Sequence, residues 1–186
     1  VRSLAFSPAG NLLAAGKMDR ALLLFDVTQK SRLQSFDKLE MLQSVETCVF
    51  SPSGTHLLAA GRTGHVLIYE VSPQGMMKEA GQFAGHSGEV ACIAVSADGK
   101  FAVSGGAEKK LRFWEVGTGQ ERAVFTGFEG KIKACYIARN GRSAMATDGS
   151  TLLQIDAMKR EVLRLLKLNR SWAAGQAAAF TADGNF

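Results

Sequence analysis

The chain has 186 residues, 46% of them hydrophobic, with 20 glycines against 3 prolines and a formal net charge of +5. That length fits one domain, the glycines suit many tight turns, and no apolar run approaches the roughly eighteen residues of a membrane-spanning helix. The basic excess is mild and gathers into no Lys/Arg block, so neither membrane insertion nor nucleic-acid binding is indicated.

Taken in order, the chain opens with predicted strands near 1–6, 11–15 and 21–26, then an outer strand near 31–36. A second group runs from about Val45 to Phe83, with a longer connection from Ser72 to Met77 before its last strand. The third group, from Glu89 to Phe125, is the clearest. Gly85-His86 precedes it, Asp98-Gly99 turns it, and Phe113-Trp114-Glu115-Val116 closes its third run. A fourth extends from Lys131 to about Leu168, and a partial fifth covers 176–186. Leu39–Val45 and Met158–Leu168 carry apolar residues at helical spacing. The register of the repeats assigns the first to a connection running into a strand, and the second to an outer strand.

These groups repeat. Turn glycines fall at Gly10, Gly54, Gly99, Gly141 and Gly184, spaced 44, 45, 42 and 43 residues apart. Four residues before them stand Phe6, Phe50, Val95, Ile137 and Phe180, all apolar. Downstream of the first four come Phe25-Asp26, Tyr69-Glu70, Trp114-Glu115 and Ile155-Asp156. Pro8 and Pro52 suit the second position of a type I turn, and the glycine after each suits a left-handed closing residue. Runs such as Ala21-Leu22-Leu23-Leu24-Phe25 are apolar on both faces, as in a sheet sandwiched between two others.

A period near 43 residues, with Gly-His before the unit and Trp-Glu closing its third strand, resembles the WD-repeat β-propeller family. The resemblance covers essentially the whole chain. It implies an all-β fold of four-stranded antiparallel blades at about 1–36, 45–83, 89–125 and 131–168, with a partial blade at 176–186. Such a set is an incomplete ring, expected to be closed by remaining blades of the same propeller. The family pins a blade with a hydrogen-bonded set of His, Ser, acid and Trp. Carried onto this chain, the set is His86, Ser104 and Trp114, with Glu108 in the acid position and Asp19 as its counterpart in the first blade.

Cys48, Cys92 and Cys135 show no CxxC spacing and read as small buried hydrophobes in a reducing, cytoplasmic setting. Cys92 is one position out of register with the other two. Because side chains alternate along a strand, it is expected to meet one of them across a blade interface as free thiols.

No nucleophile elbow is present. Gly10–Lys17 has one residue too many for a phosphate loop, and Met18 stands where Ser or Thr is required. His56, His65 and His86 lack metal-ligand spacing, so no cofactor is expected. Asn169-Arg170-Ser171 matches the glycosylation acceptor pattern, which arises readily by chance.

The expected function is therefore a non-catalytic protein–protein interaction scaffold. The alternative is a sensory or docking module of a larger signalling enzyme, such as a kinase or NTPase, which a Gly-rich loop or P-loop in flanking sequence would reveal. The expected partner surface is the end bearing the loops between second and third strands. Lys17, Met18, Arg20, Arg62, Lys109 and Lys110 gather there, with Asp19 and Glu108 turned inward, leaving a rim for acidic proteins or peptides. Arg170 and Trp172 are further candidate anchors.

Overall fold

The computed structural model describes residues 1–36, 39, 42–138 and 141–167. The predicted fifth unit at 176–186, and with it Arg170 and Trp172, lies outside the described residues.

Among the described residues sixteen strands form four antiparallel sheets, each a meander of four consecutive strands. The first blade holds β1 (Ser3–Phe6), β2 (Leu12–Gly16), β3 (Leu22–Asp26) and β4 (Ser31–Phe36). The second holds β5 (Val45–Phe50), β6 (His56–Gly61), β7 (Val66–Val71) and β8 (Met77–Phe83). The third holds β9 (Val90–Val95), β10 (Phe101–Gly106), β11 (Leu111–Glu115) and β12 (Glu121–Phe125). The fourth holds β13 (Ala134–Ile137), β14 (Ser143–Thr147), β15 (Thr151–Asp156) and β16 (Glu161–Lys167). The apolar stretch after Met158 thus forms an outer strand, despite its helical spacing. No helix occurs among the described residues, so none is long and apolar enough to cross a membrane.

The first strands of successive blades lie side by side, β1 on β5, β5 on β9 and β9 on β13. The sheets therefore stack face to face around a common axis. Three apolar cores result, one per interface, and the middle strands of the second and third blades are buried on both faces because those two sheets are covered twice. Leu57, Leu58, Ala59 and Ala60 of β6 alternate between two different cores. The four blades form an arc that does not close among the described residues. On β1, Leu4 and Phe6 are 62% and 61% exposed.

The repeated turns have one construction. Gly10, Gly54, Gly99 and Gly141 take φ between 66° and 74°, and each donates its N–H to the carbonyl three residues back. Ser7, Ser51 and Ser96 supply that carbonyl in three of the turns, and their hydroxyls also accept the first N–H of the next strand.

Two glycines are required for closeness rather than for φ. The strand ends at Gly61 and Gly106 are crossed by the incoming connection of their own blade. A Cβ on Gly61 would run into the Ser44 carbonyl, and one on Gly106 into the Glu89 carbonyl. Neither carbonyl can move without moving a strand. By contrast, a Cβ on Gly81 of β8 meets nothing within 4 Å. Gly106→Ala should therefore cost about 2–3 kcal/mol in denaturant unfolding, while Gly81→Ala stays within about 1 kcal/mol of the parent. Equal midpoints for the two variants would contradict this account of the crossing.

Candidate functional site

The turn between second and third strands has the same shape in every blade. Its third residue is left-handed: Arg20 (φ 66°), Gly64 (φ 84°), Lys109 (φ 60°) and Gly149 (φ 96°). The residue before it is Asp19, Thr63, Glu108 and Asp148 respectively, and in the third and fourth blades it reaches the chain entering its own blade.

In the third blade Glu108 does so. Its Oε1 accepts from His86 Nδ1 at 2.5 Å, and the Ser104 hydroxyl meets His86 Nε2 at 2.6 Å. Arg112 forks onto both carboxylate oxygens, at 2.6 and 3.0 Å, and also engages Glu121. Burial pushes the His86 ring below its ordinary value, and Glu108 opposes this only in part. In the neutral ring Nδ1–H donates to Glu108, while Nε2 accepts from Ser104. Burial alone would raise the Glu108 carboxyl, but the Arg112 fork and His86 hold it at about 2. The connectivity Ser–His–acid is that of a nucleophilic triad. Here, however, Ser104 is fully buried at the interface of the second and third blades, and no face of its hydroxyl meets solvent.

Two expectations for this set require correction. Trp114 is not part of the hydrogen-bonded group, since its Nε1 has no partner. Its indole instead lies flat on Phe83 of the preceding blade, with centroids 4.9 Å apart and planes 7° apart. Asp19 does not turn inward. Its side chain is 60% exposed and pairs with Lys17 at 2.6 Å.

Sequence reasoning passed over two members of this system. Arg112 is one, recognisable only as a basic residue cross-strand from Ser104. Asp148 is the other, and it performs the Glu108 task without a histidine. Its Oδ2 accepts from the N–H groups of Glu129 and Gly130, each at 2.8 Å, and its Oδ1 from those of Ser150 and Thr151. Burial works against its charge, but these donors hold the carboxyl at about 2. The signal was its place in Asp148-Gly149, one residue before the left-handed position.

The basic residues expected at this end occupy it, but their charge is partly offset. Lys17 is bound by Asp19, and Arg62 by Glu46 at 3.1 Å, with Arg2 on the same carboxylate. Arg20 occupies the left-handed position beside Lys17 and Met18, and Met18 is 57% exposed. Lys109 and Lys110 are exposed and form no ion pair with any described residue. Among the described residues no three His, Cys, Asp or Glu side chains cluster as a metal site.

Cys92 of β9 meets Cys135 of β13 across the interface of the third and fourth blades, both as free thiols. Burial, with Cys92 beside it, pushes the Cys135 thiol well up. Cys48 faces the other way, into the interface of the first and second blades.

Residues 1–26 and 77–115 match the family model for the WD domain, G-beta repeat. A chain in a crystal structure of the mitotic checkpoint complex superposes with a TM-score of 0.79 at 18% identity, over 88% of this chain and 50% of that one. The chain thus spans half the length of the solved chain it matches. The two matched stretches are similar to WD repeats, and the four sheets share the propeller-blade fold of the solved chain.

Acid should expose the buried carboxylates. Glu108 sits at about 2 in the fold against an ordinary 4.5, so its stabilisation is complete above about pH 4.5 and lost as pH falls towards 2. His86, depressed by burial, acts in the same sense from about 6.5 downward, because unfolding lets it take up a proton. Glu108→Gln should cost about 3 kcal/mol at neutral pH and flatten the fall of stability below pH 4.5. The fall that remains should come from His86, Asp148 and the other carboxylates held low in the fold, such as Glu46 and Asp98. Urea unfolding across that range checks this, and an unchanged slope would refute it.

Proposed function

We propose that this chain is a non-catalytic protein-interaction scaffold that receives acidic partners on the end carrying the turns between second and third strands. The observation that carries the reading is the pair Lys109 and Lys110. They are exposed side by side at a turn whose base is held by Glu108, His86 and Arg112. A rigid base keeps the two ammonium groups outward at little further ordering cost. Arg20 and the exposed Met18 stand on the equivalent turn of the first blade, adding charge and an apolar contact. In this reading the Ser104–His86–Glu108 group holds the blade and performs no chemistry, since a nucleophile without access can attack nothing.

The test uses the full-length protein. With Lys109 and Lys110 both changed to Glu, proteins that co-purify and elute at moderate salt should be lost, while the melting temperature stays within a few degrees. An unchanged bound set at unchanged stability would mean that this end is not the binding surface.

A further inference from the structure

On the opposite end of the blades, a cavity of about 210 Å³ opens between the third and fourth blades. Its floor is the stacked pair Phe101 and Phe113, with centroids 5.2 Å apart, and Ala157 forms one wall. Met158, 48% exposed, stands at its lip. Two guanidinium groups, Arg122 and Arg160, complete the lining.

We infer that this slot is a second docking site, taking an extended acidic peptide segment of another protein that inserts one bulky apolar side chain. The apolar floor sets the anchor. Two aromatic rings and a flexible methionine offer dispersion contacts to an aromatic or branched side chain and nothing to a polar one. The charge sets the flanks. Arg122 is held by Glu115 at 2.5 Å, which fixes its reach over the slot. Arg160 makes no ion pair with any described residue. Asp156, on the same turn, is already engaged by Arg142 at 2.8 Å and by the Lys159 N–H at 3.0 Å. A carboxylate beside the anchor would thus find an available guanidinium, whereas a basic flank would meet the like charge of Arg160. The turn is also set before binding. Arg160 takes φ 61°, and Asp156 caps the bend, so the guanidinium is carried on a fixed loop.

The site lies at the other end from Lys109 and Lys110, so it stands or falls apart from the surface proposed above. The probe is a fluorescein-labelled Glu-Asp-Phe-Glu-Asp peptide, titrated with full-length protein in fluorescence polarisation. Saturable micromolar binding is expected. It should weaken about tenfold or more when the peptide Phe becomes Ala, and equally with Arg160→Glu or Met158→Asp. Both variants change exposed positions, so their unfolding midpoints should match the parent. Changing Lys109 and Lys110 to Glu should leave this binding unaltered. Lack of saturation at millimolar protein, indifference to the Phe replacement, or full affinity in Arg160→Glu would each overturn the inference.

Discussion

The face-to-face contact of Trp114 with Phe83 is the tie on which the order of the blades rests. Each sheet is apolar on both sides, so a blade standing alone would expose two faces. The stack gives one pair of those faces a defined partner. The same device recurs around the arc. Phe36 ends β4 and meets Tyr69 of the second blade at 5.0 Å, and Phe125 ends β12 and shares a core with Ile155 of the fourth. In the first two cases the last residue of an outer strand closes over the third strand of the following blade. An aromatic pair of this kind adds about 0.5–1.5 kcal/mol beyond the area it buries. It also fixes how far one sheet can slide on the next.

This aromatic tie and the polar set divide the labour by radius and by end. Aromatic pairs hold the outer part of the first two interfaces, and Phe125 shares the core of the third. The acids at the left-handed turns hold the chain as it enters the blade, through His86 in the third and through bare backbone N–H groups in the fourth. The two solutions are chemically equivalent, since both give a buried carboxylate enough donors to stay charged. The turns they brace carry the charges that face solvent, so the packing beneath determines what the rim presents. Across the inner strands, the Cys48 N–H donates to the Ser3 hydroxyl at 2.9 Å, a polar tie between the first two blades.

Much of this was legible in the sequence because turns are local. A glycine with φ near 70° must recur wherever the same bend recurs, and its spacing survives changes in the strands between. The alternation of side chains likewise placed Cys92 against a cysteine of a neighbouring blade, which proves to be Cys135. What could not be read depends on which groups compete at close range. Trp114 was expected to donate to the polar set, but Phe83 from the preceding blade takes its ring, and Ser104 is occupied by His86. Asp19 has the equivalent turn position, but its carboxylate is exposed and pairs with Lys17. Asp148 escapes a reading of the sequence because the expected set is built on a histidine, whereas the physical requirement is only for donors.

The claim that the aromatic contact orders the blades is tested most directly by a double-mutant cycle on Phe83→Leu and Trp114→Leu, followed by denaturant unfolding. The account predicts that each single variant is destabilised and that the pair shows a coupling of about 1 kcal/mol, because either change alone already removes the stack. Strict additivity of the two losses would show that each ring contributes only its own burial, and would contradict the claim.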